Sequence, residues 1–221
     1  MSQISRGTGV RMKIDFVSDI ACPWCIIGLK SLEQALDSVG SEIEADIHFQ
    51  PFEINPSMPK GGQDVVEHLA QKYGVTPEQS QRTREAIRAR GEEVGFTFSL
   101  EKRSRIYNTF DAHRMLHWAE LEGKQIEFKH ALFSAYFTDG LDPGHADTLV
   151  RLAGEIGLDQ DRAKQVIETN AYADEVREQE AYYQSKGINS VPAIILNGRH
   201  LIQGGQPPEI FEKVLRQIAS V

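Results

Sequence analysis

Residues 12 to 28 read Met-Lys-Ile-Asp-Phe-Val-Ser-Asp-Ile-Ala-Cys-Pro-Trp-Cys-Ile-Ile-Gly, and the reading of this stretch decides the fold. Met12, Ile14 and Phe16 alternate with Lys13, Asp15 and Val17, the period of a strand with one face more deeply buried. After Pro23 the period changes. Ile26, Ile27, Leu29, Leu32, Ala35, Leu36 and Val39 recur at helical spacing and stop at Gly40. Cys22 and Cys25, the only cysteines in the chain, therefore fall where a strand gives way to the N-terminus of a helix.

Working outward, Ile43, Ala45, Ile47 and Phe49 alternate with polar residues up to Pro51 and predict a second strand, which completes a βαβ unit. The first ten residues are polar and aperiodic, a loose tail before the fold begins near Met12. Residues 61–186 read as helices. Segments run from Val65 to Tyr73, from Pro77 to Glu93 with Thr76 as cap, from Tyr107 to Leu121, from Ile126 to Phe137 and from Leu149 to Ile156. One or two more helices lie between Asp161 and Tyr183. Strand signals return in Ala193-Ile194-Ile195-Leu196 and Arg199-His200-Leu201-Ile202. The Asn197-Gly198 pair between them accepts the positive φ of a tight hairpin turn. A last helix runs from Pro208 to Ala219.

This order, β-α-β, a helical block, then β-β-α, predicts an α/β chain with a thioredoxin-like fold and a large α-helical insertion. The expected units are residues 12–60 and 187–221 for the thioredoxin-like part and 61–186 for the insertion.

Composition narrows the function. A 24.8 kDa chain with net charge −8 and pI near 5.4 lacks the clustered basic charge of a nucleic-acid binder. No apolar run reaches the roughly 20 residues of a membrane span, and the first residues lack the apolar core of a signal peptide. A cytoplasmic protein with neither nucleic-acid nor membrane partners is expected. There a lone Cys-x-x-Cys is redox-active or metal-binding more often than structural.

Zinc requires four ligands, and no further cysteines exist. His113 and His117 are one helical turn apart, but lie much further from Cys25 than the dozen or so residues of a zinc finger. No metal site is expected. The reversible couple fits better: Cys22, facing unpaired N–H groups and the positive end of the helix, is the attacking sulfur. Cys25, one turn further in and more buried, resolves the mixed disulfide, so the working group is a redox-active Cys22–Cys25 disulfide. Pro23 suits the first helical position, where its missing N–H breaks no bond, and Trp24 offers an apolar face to substrate.

Asn189-Ser190-Val191-Pro192 opens the hairpin. In a thioredoxin-type fold this proline is expected to be cis and opposite the dithiol, leaving the backbone of Val191 to pair with an extended substrate.

Ser18-Asp19-x-x-Cys22-Pro23-Trp24-Cys25-x-x-Gly28, Asn108-Thr109-Phe110-Asp111-Ala112-His113-Arg114, Val191-Pro192 and Gly204-Gly205-Gln206-Pro207 together resemble the DsbA-like thioredoxin superfamily, and within it the FrnE-type dithiol oxidoreductases. The resemblance covers Met12 to the C-terminus. It implies Cys22 as nucleophile, Cys25 as resolving thiol, Pro192 as the cis residue, and a protein or small-molecule disulfide as substrate. No tightly bound cofactor is implied. Glutathione is a possible co-substrate, and glutathione or a thioredoxin system would recycle the dithiol. Asn108, Asp111, His113 and Arg114 become substrate or glutathione contacts, against the alternative of capping and solvation. Trp24 stands where the best-known member has a histidine, which implies a weaker oxidant. Glutathione-dependent relatives of the same fold, the kappa-class transferases and 2-hydroxychromene-2-carboxylate isomerases, supply the rival enzyme reading. A chaperone-like client binder is the non-enzyme rival.

Overall fold

The computed structural model describes residues 9–220. Of the loose tail expected over the first ten residues, residues 1–8 lie outside the described part. Val10 already belongs to a strand.

Strand β1 (Val10–Ser18) pairs in parallel with β2 (Ile43–Pro51), placing Met12 opposite Ala45 and Phe16 opposite Phe49. On its other edge β1 pairs antiparallel with β5 (Ala193–Leu196), which pairs in turn with β6 (His200–Gln203). The sheet order is β2-β1-β5-β6. The Asn197-Gly198 turn has both φ angles positive, at 50° and 66°.

The expectation of one more deeply buried face in β1 holds only for its first half. Val17 and Ser18 are fully buried, as are Met12, Ile14 and Phe16. As an inner strand, β1 is covered on its second face as well: Val17 packs with Tyr183, Ile188 and Ala193.

Helix α1 (Pro23–Val39) crosses from β1 to β2 and packs against the last helix, α9 (Pro208–Ala219). Between β2 and β5 run α2 (Val65–Tyr73), α3 (Pro77–Glu93), α4 (Phe110–Leu121), α5 (Gln125–Phe137), α6 (Ala146–Glu155), α7 (Gln160–Glu168) and α8 (Ala173–Ser185). The chain is a thioredoxin-like fold carrying a helical insertion. A ribbon of two-residue strands, β3 (Gln63–Asp64) and β4 (Arg105–Ile106), joins the two sides of α2 and α3 and is too short to show a sequence period.

Capping sets several boundaries. Thr76 and Gln79 close a reciprocal box at the start of α3, with Gln79 N–H donating to Thr76 Oγ1 at 3.3 Å and Thr76 N–H to Gln79 Oε1 at 2.9 Å. Helix α4 begins at Phe110 rather than Tyr107 because Asn108 Oδ1 accepts the Phe110 N–H at 2.9 Å. The Asp161–Tyr183 stretch splits into α7 and α8 at Asn170 and Tyr172, both in the left-handed region.

One apolar cluster runs from Met12 and Phe16 through Cys22 and Cys25 to Phe128, Phe133 and Tyr136. The dithiol is thus built into the seam between the sheet and the helical insertion.

Candidate active site

The chain leaves β1 at Ser18 and turns tightly: Cys22 N–H donates to Asp19 O at 3.2 Å, and Cys25 N–H to Cys22 O at 3.1 Å. Cys22 caps α1 in an extended conformation, with Pro23 at the first helical position, as the local sequence demands. Both thiols are free, with Cys22 at the N-cap of α1 and Cys25 in its first turn. Cys22 is 4% exposed and Cys25 fully buried.

Pro192 faces the dithiol across a close helix–loop packing. The Val191–Pro192 peptide is cis, and Cys22 Sγ lies 3.8 Å from the Val191 carbonyl oxygen. A Cβ placed on Gly28 would lie 3.3 Å from both Pro192 Cγ and Gly205 Cα; one on Gly205 would meet Trp24 O at 2.9 Å. Side chains at these two positions would push the proline loop away from the helix start. This explains why both glycines belong to the motifs seen in the sequence.

Asp19 supports the turn from below. Its carboxylate accepts from Ala21 N–H at 3.3 Å and Ile54 N–H at 2.8 Å, and His113 Nε2 sits 3.5 Å away. Burial pushes the carboxyl pKa up, but His113, the Ile54 amide and Thr109 outweigh it and hold Asp19 below the usual range. Cys25 is raised well above the ordinary thiol value by burial and by its contact with Cys22. Lys129, also fully buried, is lowered to about 8 by burial, opposed by the charges of Cys25, Asp19 and Cys22.

Cys22 opens onto a cleft of about 610 Å³ between the helix start and the walls formed by α2 and α3. Pro23, Trp24 and Val191 line its dithiol end, and Val65, Leu69 and Ile87 give it an apolar side. Lys72, Arg84 and Arg103 also line it, and all three donate to neutral oxygens. Lys72 reaches Ile54 O at 2.8 Å and Asn55 Oδ1 at 2.6 Å, Arg84 reaches Leu100 O at 2.6 Å, and Arg103 reaches the Tyr136 hydroxyl at 2.8 Å. Glu53, the carboxylate in the same wall, is paired with Arg177. The cleft is therefore locally positive in a chain of net charge −8.

The 108–114 block sits elsewhere. None of its residues lines the cleft. Asn108 Nδ2 donates to Met58 O at 2.9 Å, and its Oδ1 accepts from Phe110 N–H at the start of α4. Arg114, 1% exposed, binds Asp111 Oδ1 and the carbonyl oxygens of Val166, Ile167 and Ala171, tying α4 to the end of α7. His113 lies behind the dithiol against Asp19. For Asn108, Asp111 and Arg114 the geometry is that of capping and internal pairing. Among the described residues no three His, Cys, Asp or Glu side chains cluster to hold a metal.

Residue-by-residue reading passed over Lys129 and the cleft cations. A signal for Lys129 existed: it falls among the apolar residues Phe128, Leu132, Phe133 and Tyr136 of α5. A cation on such a face is buried and needs a reason. The cations of the cleft come from α2, α3 and the segment before β4, and no sequence spacing relates them.

The chain shares this architecture with known proteins. The probable DsbA oxidoreductase SCO1869 from Streptomyces coelicolor is 32% identical and superposes with a TM-score of 0.86, covering 93% of this chain and 89% of that one. The uncharacterized protein YwbO from Bacillus subtilis (strain 168) is 29% identical over 203 residues, which is 91% of this chain and 94% of YwbO. The cytosolic disulfide reductase DsbM from Pseudomonas aeruginosa, solved with GSH, has the same fold at 16% identity, with a TM-score of 0.67 and coverage of 95% and 100%. A family model described as the DSBA-like thioredoxin domain matches residues 13–216, from the first strand into the last helix, and the chain belongs to that family.

Proposed function

We propose that this chain is a thiol–disulfide oxidoreductase in which Cys22 attacks a substrate disulfide and Cys25 resolves the resulting mixed disulfide. The observation that carries the reading is the position of Cys22: it caps α1, touches the Val191 carbonyl next to a cis proline, and borders a cleft large enough for a substrate. A sulfur at a helix N-terminus gains from the positive helix end as thiolate. Cys25, buried and raised, stays a thiol until the mixed disulfide forms beside it. The backbone of Val191, in the segment leading into β5, is the edge on which an extended substrate would lie.

The apolar, locally positive cleft favours a disulfide carrying carboxylates. Glutathione disulfide, or a protein mixed disulfide with glutathione, has that chemistry, and the GSH on DsbM supports glutathione as co-substrate. A reducing cytoplasm is the proposed setting, with glutathione or a thioredoxin system restoring the dithiol.

Insulin-disulfide reduction by wild type, Cys22→Ser and Cys25→Ser tests the reading. Wild type should be active, and Cys22→Ser should lose at least a hundredfold. Full activity in Cys22→Ser would refute it. A glutathione-dependent isomerase would instead retain isomerase turnover in Cys22→Ser, and a client binder would retain binding.

A further inference from the structure

The cleft that Cys22 borders carries three long cationic side chains, and they are not equivalent. Lys72 Nζ is engaged by two acceptors, Ile54 O and Asn55 Oδ1. Arg84 commits Nη2 to Leu100 O. Arg103 donates through Nε alone, to the Tyr136 hydroxyl at 2.8 Å, and both of its terminal nitrogens lack a hydrogen-bond partner among the described residues. Neither of those nitrogens is buried, and the half-buried Arg103 lines the cleft.

The Arg103 guanidinium is fixed from behind. Its Cζ lies 5.0 Å from the Tyr136 ring centroid and 5.2 Å from that of Phe137, and both rings are buried in the core. The Tyr136 hydroxyl donates to Arg105 O at 3.0 Å, which turns its oxygen lone pairs toward Arg103 Nε. A guanidinium anchored through Nε and two rings keeps its outer edge free, and that edge carries two parallel N–H groups at the spacing of a carboxylate's oxygens. Among the described residues Glu53 is the only carboxylate lining the cleft, and it is paired with Arg177. His68, in the same wall, is held below its ordinary pKa by burial and by the charges of Lys72 and Arg103, so its ring is neutral at pH 7.

We propose that Arg103 is the specificity-determining residue of the cleft: it takes the carboxylate of a small disulfide across both terminal nitrogens, while the apolar body joining carboxylate to sulfur lies along Val65, Leu69, Ile87 and Ile106. This deepens the dithiol reading and rests on it. An aryl or alkyl disulfide acid has the required chemistry, with charge at one end, sulfur at the other and apolar surface between them. In the reaction the Cys22 thiolate forms a bond to the nearer substrate sulfur, and the substrate's S–S bond breaks to release the first thiolate. The Cys25 thiolate then bonds to Cys22 Sγ, and the Cys22–substrate bond breaks with its electron pair on the second substrate sulfur. Two electrons pass from the dithiol to the disulfide, and the two protons lost by the cysteines end on the two product thiols. Arg103 touches the substrate away from the sulfurs, so it acts on binding and leaves bond exchange to the cysteines.

The test compares two aromatic disulfides in stopped-flow reaction with the reduced protein: dithiobis(nitrobenzoate), which carries carboxylates, and dithiodipyridine, which carries none. Both release a coloured thiol when Cys22 attacks. Wild type should reach half its maximal rate at a lower concentration of dithiobis(nitrobenzoate) than of dithiodipyridine. In Arg103→Met this preference should fall about tenfold to a hundredfold, the scale of a lost charge-assisted hydrogen-bonded contact. The fall should appear in the half-saturating concentration of the carboxylate probe rather than in its maximal rate. Arg103→Lys keeps the charge and loses the fork, so it should regain only part of the preference. An unchanged preference in Arg103→Met, or full recovery in Arg103→Lys, overturns the proposal and leaves the dithiol reading intact; failure of wild type to react with either probe overturns both. Should Arg103→Met not fold, Arg103→Lys decides alone: a reduced preference supports the contact, and a wild-type preference refutes it.

Discussion

His113 Nε2 and Asp19 Oδ1 face each other at 3.5 Å directly beneath the turn that presents Cys22, and both residues are buried. Asp19 also holds the Ile54 amide at 2.8 Å, so one carboxylate links the dithiol turn, the segment after β2 and the insertion helix α4. Its pKa is lower in the folded chain than in the unfolded one. The stability it contributes is therefore complete above about pH 4, where an unfolded aspartate is ionised, and is lost as the pH falls through the lower folded value. Asp19→Asn should cost about 1–3 kcal/mol at neutral pH by mispairing a buried amide. Urea denaturation at stepped pH should show a shallower acid loss in the variant than in wild type. Identical slopes would refute this assignment.

Arg114 lies within the fold and away from the cleft. Replacing it with Leu leaves Asp111 and the carbonyl oxygens of Val166, Ile167 and Ala171 without their donor. The expected cost is about 3–5 kcal/mol, the scale of a broken buried pair. Activity per folded molecule should remain close to wild type. A raised KM at unchanged stability would instead make Arg114 a substrate contact.

Lys72 and Arg84 supply positive charge to the cleft without carboxylate partners. Lys72→Met and Arg84→Met should each raise KM for glutathione disulfide about fivefold to tenfold, or about 1–1.4 kcal/mol, with kcat little changed. The wild-type preference for this substrate should weaken with added salt. Turnover of cystamine, a cationic disulfide, should stay level or improve. Equal effects on the two substrates would argue against charge recognition.

Trp24 is 36% exposed in the first turn of α1, next to Cys22. It brings no charge to the thiolate, so the couple should lie nearer to about −270 mV than to about −120 mV. Trp24→His should raise the potential by roughly 30 mV for each 1.4 kcal/mol of added thiolate stabilisation. Equilibration in glutathione buffers measures both. A wild-type value above about −150 mV would contradict the expectation.

Much of this arrangement is legible in the residues because the signals are local. The change of period around Cys22, the Pro23 that suits a helix start, the Asn197-Gly198 turn and the Val191-Pro192 pair each act within a few residues of themselves. The features that escape sequence reading are made by distant segments. The cleft charge arises where Lys72, Arg84 and Arg103 converge. The 108–114 block carries polar groups suited to either ligands or internal bonds. Only the approach of α7 to α4 turns Arg114 inward. Strand β1 reads as one-sided because α8, which covers its second face near Val17, lies at the far end of the chain.

The central claim is the division of labour between the two sulfurs, and trapping tests it most directly. Cys25→Ser and Cys22→Ser would each be mixed with a disulfide-bonded peptide at neutral pH, quenched with acid and weighed intact by mass spectrometry. Cys25→Ser should accumulate one covalent peptide adduct, mapped to Cys22, while Cys22→Ser should stay unmodified over the same time because its remaining thiol is fully buried. Adduct on Cys25 in Cys22→Ser at a comparable rate would contradict the account.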